Sequence, residues 1–149
     1  QLLTTKSPKP RLLDLCAAPG SKSLQAAEHF SVVANELDRK RFQILQKRAN
    51  GLFQCVNGDA FKLLETLRKR EFDFILLDPS CSSSGNTNED ERFGALFTIK
   101  KRNLDKLTTF YQQLLFKTLE YAWKTEVKYV SYSTCSVFDE ENEDIVEAA

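Results

Sequence analysis

Apolar positions along the chain alternate between two rhythms. Short runs dense in Val, Leu, Phe and Tyr, bounded by Gly, Pro, Asn or Ser, occupy Arg11–Ala17, Ser31–Leu37, Phe53–Asp59, Phe72–Asp78 and Val127–Cys135. Runs of that length and composition predict strands. Between them Ser21–Phe30, Asp38–Asn50, Ala60–Arg70 and Asn103–Trp123 read as helices. In the last, Leu104, Leu107, Phe110, Tyr111, Leu114, Leu115 and Leu119 recur at steps of three and four, the stripe of a helix with one buried face. Asn50-Gly51 after Arg48 supplies a helix stop. A final helix is expected from Asp139, whose side chain can cap it, to the end of the chain.

Strands and helices alternating at this spacing predict an α/β fold, a Rossmann-like, doubly wound, mostly parallel sheet with right-handed crossovers. The 149 residues fit one domain, 1–149, because single cores usually fill roughly 100–200 residues. The stretch Ser82–Arg102 exceeds ordinary connections and reads as a functional loop or lid. Trp123 and the phenylalanines read as core, and His29, alone within its helix, as structural.

Composition narrows the classes. No apolar stretch approaches the roughly 20 residues that cross a bilayer. No basic segment leads into an apolar one near Gln1, so an intracellular protein is expected. The four cysteines, Cys16, Cys55, Cys81 and Cys135, are spread singly and read as reduced thiols. With no C-x-x-C and a single histidine, no metal site is expected. There is no methionine, even at position 1, and five strands are few for such a sheet. The chain is therefore expected to be a segment of a longer protein, cut at both ends. A monomer is the simplest expectation.

Ligands of such sheets bind beyond the carboxyl ends of the strands. After the first strand comes Cys16-Ala17-Ala18-Pro19-Gly20-Ser21-Lys22, a turn of small residues entering a helix, where free N–H groups can meet an anion or carboxylate. The second strand ends in Glu36, suited to both hydroxyls of a ribose. The third ends in Gly58-Asp59-Ala60, with Asp59 placed to accept from an adenine amino group. The ordered set describes an adenosine-containing cofactor, and the absence of G-x-G-x-x-G disfavours a dinucleotide. The fourth and fifth strands end in Asp78-Pro79-Ser80-Cys81-Ser82 and Ser133-Thr134-Cys135-Ser136. Neighbouring strands would let Cys81 and Cys135 share a pocket, one thiolate serving as nucleophile and the second thiol as base. Cys55, in mid-strand, reads as an ordinary half-buried thiol.

DLCAAPGSKS, VVANELDRKR, GDA, DPSCSSSG and YSTCSVFDEENEDIV, in that order, resemble the RNA (cytosine-5) methyltransferases of the Nol/Nop/Sun type from about Arg11 to Val146. DPSC and the EENEDIV tail resemble the eukaryotic branch acting on large-subunit ribosomal RNA. The resemblance implies a class I S-adenosyl-L-methionine-dependent methyltransferase fold and that cofactor. Cys16, Ala17, Ala18, Pro19, Gly20, Ser21 and Lys22 would hold its methionine end, Glu36 its ribose, and Asp59 with Ala60 its adenine. Arg41 and Asp78 complete the implied cofactor set. Cys135 would add to carbon 6 of cytosine, Asp78 would bind ring nitrogen 3 and the exocyclic amine, and Cys81 would assist loss of the carbon-5 proton. Lys22 would fix Asp78 or the cofactor carboxylate. The DNA cytosine-5 methyltransferases attack from a Pro-Cys motif at the fourth strand, and on that analogy the two thiols exchange roles.

The implied partner is RNA, ribosomal RNA first and tRNA as the alternative, with a nuclear or nucleolar location in a eukaryote. Family members usually carry glycine where Ser83 stands, so a side chain there is expected to crowd the cytosine or alter the loop. The rival reading is a non-catalytic, cofactor-binding scaffold of the same fold. Charge fits either reading. The 21 basic and 21 acidic residues cancel, yet six acids and no base lie in Asp139–Glu147. The rest of the chain is thus basic, with clusters Arg39-Lys40-Arg41, Arg68-Lys69-Arg70 and Lys100-Lys101-Arg102 able to reach phosphates.

Overall fold

The structure, a computed structural model, describes residues 9–86 and 101–149. Five parallel strands alternate with helices: β1 (Arg11–Asp14), α1 (Ser21–Ala26), β2 (Ser31–Glu36), α2 (Arg39–Ala49), β3 (Gln54–Asn57), α3 (Ala60–Thr66), β4 (Phe74–Leu77), α4 (Lys101–Thr125), β5 (Tyr129–Tyr132) and α5 (Glu143–Glu147). The sheet order is β3-β2-β1-β4-β5. The order reverses between β1 and β4, and at such a switch point the loops diverge to opposite faces and open a crevice. Strand register carries the same edge across the sheet, since Asp14 pairs with Ala34 and Leu76, and Leu77 pairs with Tyr132.

Side chains of a strand alternate between faces, and two cores result. Leu13, Ile75 and Leu77 join Leu64 of α3, Tyr111 and Leu114 of α4 and Ile145 of α5 on one face. Leu12, Val32 and Ala34 join Leu45 and Ala49 of α2 on the other. Leu45 and Leu114 are fully buried, and each burial stabilises the fold by roughly 2 kcal/mol. Helices on both faces make the sheet doubly wound, as the alternation predicts.

Helix starts follow their caps. Asp38 accepts from Arg41 N at 2.8 Å and opens α2, while Asn50 (φ 43°) and Gly51 (φ 80°) close it in left-handed backbone. Helix ends depart from expectation where no stop signal exists. α1 gives way after Ala26 to tight turns in which His29 N donates to Ala26 O at 3.0 Å, so His29 is an exposed turn residue and not part of a helix. α3 ends at Thr66 instead of Arg70, because Leu67 turns extended and Tyr121 Oη binds Arg68 O at 3.1 Å, which redirects the chain toward β4.

Two other expectations are corrected, and a third falls largely outside the described residues. In α4 the buried stripe runs through Tyr111, Leu114, Leu115, Thr118, Tyr121 and Ala122. Phe110 and Leu119 lie on its rim, and Trp123, one position past the stripe, is 89% exposed and no part of the core. Asp139 does not cap the last helix. It begins a 3-10 turn, Asp139–Glu141, with α5 following only at Glu143. That turn is held by Asn142, which donates to Ser136 O at 3.2 Å and Phe138 O at 2.8 Å. Of the stretch Ser82–Arg102, a 3-10 turn at Ser84–Asn86 and the start of α4 are described, and residues 87–100 lie outside the described residues.

Candidate active site

The residues picked out at the strand ends fall into two adjoining groups. The first surrounds a cleft of about 560 Å³ at the carboxyl ends of β1, β2 and β3, lined by Cys16, Glu36, Arg41, Asp59 and Ala60 among others. Its size suits a nucleoside-bearing ligand. Ala17, Ala18, Pro19, Gly20, Ser21 and Lys22 are not in its lining and form the turn into α1. Gly20 is required there. Its backbone is left-handed (φ 102°), and a Cβ would sit 2.8 Å from Leu45 Cδ1.

Glu36 is 5% exposed at the end of β2. Its Oε1 accepts from Asp38 N at 2.9 Å and its Oε2 from Ala18 N at 3.3 Å, so it ties two loops together. A carboxylate has about four acceptor directions, which leaves room for two hydroxyl donors. Arg41 lies 3.8 Å from Glu36 and donates to Ala18 O and Ser80 Oγ, both at 2.5 Å. Asp59 Oδ1 caps α3 by accepting from Phe61 N at 2.8 Å, so one of its two oxygens is already engaged in the fold. Among the described residues Asn35 Oδ1, in the cleft wall, is buried without a hydrogen-bond partner. The acidic acceptors Glu36 and Asp59, apolar walls from Leu37 and Phe61, and a small-residue turn alongside fit an adenosine-type cofactor.

Cys16 is held in its protonated form. Burial, reinforced by Asp14 and Glu36, pushes its thiol up to about 12. Asp14 beneath it is 1% exposed, and burial raises its carboxyl to about 6, although Ser23 Oγ donates to it at 2.6 Å.

The second group lies where β4 and β5 end side by side. Asp78 Oδ2 accepts from Lys22 Nζ at 2.6 Å, and its Oδ1 accepts from Ser133 Oγ at 3.0 Å. Cys81 Sγ and Cys135 Sγ are 3.1 Å apart although 54 positions separate them, and Cys135 N donates to Cys81 Sγ at 3.3 Å. The thiols are driven in opposite directions. Hydrogen bonds with Ser83 and then Cys81 lower Cys135, while burial and then Asp78 oppose this. Burial, and then the bond to Cys135, raises Cys81. Ser83 is exposed and left-handed (φ 57°), with its Oγ 3.4 Å from Cys135 Sγ.

A polar bridge fastens the two thiol loops, and most of its members lie within the DPSCSSSG and YSTCSVFDEENEDIV motifs, which by themselves give them no such role. Glu141, with 0% exposure, accepts from Ser82 N at 2.9 Å and Ser82 Oγ at 2.5 Å. Ser84 Oγ and Ser136 Oγ meet at 3.0 Å. Gly85 N donates to Cys135 O at 2.9 Å, and a Cβ on Gly85 would stand 2.8 Å from that oxygen, so only glycine allows the approach. Tyr132 Oη donates to Glu141 O at 2.7 Å, and Tyr111 Oη to Ser80 O. In the sequence Glu141 reads as one of six acids at the end of the chain and as part of the EENEDIV tail, with nothing to mark it as an anchor.

The model of the 16S rRNA methyltransferase RsmB/F family matches residues 1–149. The chain belongs to that family. Its relatives include the 28S rRNA (cytosine-C(5))-methyltransferase of Mus musculus, 32% identical over 99% of this chain and 33% of that protein. Another is the tRNA (cytosine(49)-C(5))-methyltransferase of Pyrococcus abyssi, 34% identical over 94% of this chain and 46% of that protein. The chain thus spans between a third and a half of the length of these two family members. Among solved structures, NSun6 from Pyrococcus horikoshii with SFG superposes with a TM-score of 0.70 at 20% identity, covering 93% of this chain and 37% of that one. The Rossmann-like methyltransferase fold and the Nol/Nop/Sun resemblance therefore stand. Among the described residues no group of three or more metal-ligating side chains gathers, and no helix is long and apolar enough to cross a membrane.

Proposed function

We propose that this chain is the catalytic core of an S-adenosylmethionine-dependent RNA methyltransferase that forms 5-methylcytosine, with ribosomal RNA as substrate and tRNA as the alternative. The observation that carries the reading is the thiol pair, 3.1 Å apart beside Asp78, with one thiol acidified and the other held protonated. Cytosine carbon 5 is a poor nucleophile until a group adds at carbon 6, so the reaction needs one thiolate that adds and later leaves.

Cys135, the more exposed and more acidic thiol, forms the bond to carbon 6. Ring nitrogen 3 takes a proton from solvent as Cys135 adds and returns it as Cys135 leaves. Asp78 accepts hydrogen bonds from that N–H and from the exocyclic amine, with Lys22 fixing the carboxylate from the other side. The cofactor supplies an electrophilic methyl group. Once Cys135 is bonded to carbon its negative charge is gone, and Cys81 loses the neighbour that disfavoured its ionisation. Cys81 releases its proton to solvent, takes the proton from carbon 5, and the electrons of that C–H bond restore the ring double bond as Cys135 leaves as thiolate.

In the cleft Glu36 would hold the ribose hydroxyls and Asp59 Oδ2 the adenine amine, between Leu37 and Phe61. The turn Cys16–Lys22 and Arg41 would position the methionine end, bringing it toward Asp78 and Cys81 through Pro79 and Ser80. Basic clusters on Arg39–Arg41 and Arg68–Arg70 would meet phosphates. If the substrate is eukaryotic ribosomal RNA, the nucleolus follows as location.

The test is to incubate the full-length protein with methyl-labelled S-adenosylmethionine and total RNA and to digest the RNA to nucleosides. Label in 5-methylcytidine is expected. Cofactor binding without any labelled cytidine would replace this reading with the scaffold one.

A further inference from the structure

The position expected to impair catalysis touches the reactive sulfur instead. Ser83 adopts left-handed backbone (φ 57°), which glycine takes freely and serine seldom does. A glycine there would satisfy the loop, and the serine adopts this backbone against its own conformational preference. What it adds is a hydroxyl whose Oγ is 3.4 Å from Cys135 Sγ. The other close contact of that sulfur is Cys81 Sγ, at 3.1 Å. Among the described residues the titratable groups facing Cys135 are Cys81 and Asp78, the latter neutralised in part by Lys22. Neither is a cation, so a thiolate here depends on hydrogen-bond donors, and of the two side chains in contact with the sulfur the Ser83 hydroxyl is a stronger donor than the Cys81 thiol.

We propose that Ser83 activates Cys135, its O–H donating to the sulfur and holding it as thiolate before cytosine arrives. The inference rests on the reading of Cys135 as nucleophile. The thiol proton goes to solvent, and Ser83 keeps its own proton throughout. In the free thiol the bond runs the other way, Cys135 S–H donating to Ser83 Oγ, so rotation of one hydroxyl follows ionisation. Ser83 lowers Cys135 more than any other neighbour does, in agreement with the geometry.

The experiment measures alkylation of Cys135 by iodoacetamide against pH in the full-length protein, followed by peptide mass spectrometry that separates Cys135 from Cys81. Ser83→Ala removes the hydroxyl and keeps the strained backbone, whereas Ser83→Gly removes both. The expected result is that both variants shift the Cys135 profile upward together and react about 5-fold more slowly at neutral pH, the scale of a hydrogen bond to a charged group that faces solvent. The pH profile of methyl transfer should move by the same amount. An unchanged profile in both variants, or a change in Ser83→Ala that Ser83→Gly does not share, would overturn the proposal. Methylation surviving in Cys135→Ala would remove the nucleophile reading alone, since the alkylation profiles do not depend on it.

Discussion

The two halves of the sheet's carboxyl edge hold their polar groups by different means. Around β2 and β3 the anchors are closer in sequence: Glu36 binds N–H groups two and 18 residues away, and Asp59 caps the helix it begins. At the ends of β4 and β5 the anchors span the chain: Ser133 with Asp78 across 55 positions and Ser82 with Glu141 across 59. The cofactor half is thus assembled mainly by caps and by contacts between successive βα units, with Arg41 to Ser80 its longer tie. The thiol half exists only once β5 has docked beside β4, a non-local event with a larger loop-closure cost. Its two cysteines are held in register by a buried carboxylate and serine hydroxyls, not by the strands alone.

Removing the bridge should separate the halves most sharply. Glu141→Ala leaves the half-buried Ser82 N–H and hydroxyl without the carboxyl group they donate to, and a loss of about 2–4 kcal/mol in stability is expected from denaturant unfolding. Methylation should fall far more than cofactor affinity does. Equal loss of both would mean that the halves are not independent.

The same division explains what was legible in the sequence. Strand identity, sheet type and the stop at Asn50-Gly51 are written in neighbouring residues and hold in the structure. The pairing of Cys81 with Cys135 was legible because both stand directly at the ends of adjacent strands. Glu141 was not, because its partner Ser82 is 59 positions away and its surroundings read as a solvated acidic helix start. Trp123 shows the same limit in the core: apolar spacing finds a stripe, and one step past that stripe is 100° around the helix and in water. Ser83 was noticed for its departure from glycine, yet its effect depends on where its hydroxyl points.

A pH experiment sharpens the cofactor half. Asp14 has a folded value of about 6 against an ordinary 3.8, raised mainly by burial. A raised carboxyl favours the folded state fully below about pH 4, and that contribution is lost as pH rises through 6, for a total of about 3 kcal/mol at most. Asp14→Asn should flatten that decline in thermal unfolding between pH 4 and 7. A parallel curve, merely displaced, would mean that Asp14 is not the group responsible.

The smallest expected effect is the most selective one. Glu36→Gln should weaken S-adenosylmethionine binding roughly tenfold by calorimetry, through loss of charge-assisted bonds to the ribose. Alkylation of Cys135 should be unchanged, because nothing at Glu36 reaches the thiol pair directly. A shift in Cys135 reactivity would show that the halves communicate, and Arg41, which touches both Ala18 and Ser80, would be the residue to examine.

The assignment of the two thiols is tested most directly by covalent trapping. Full-length Cys81→Ala and Cys135→Ala proteins are each mixed with S-adenosylmethionine and substrate RNA and run on a denaturing gel. With Cys135 as nucleophile and Cys81 required for release, Cys81→Ala should accumulate a protein–RNA adduct and Cys135→Ala should form none. An adduct in Cys135→Ala and none in Cys81→Ala would contradict the assignment and exchange the two roles.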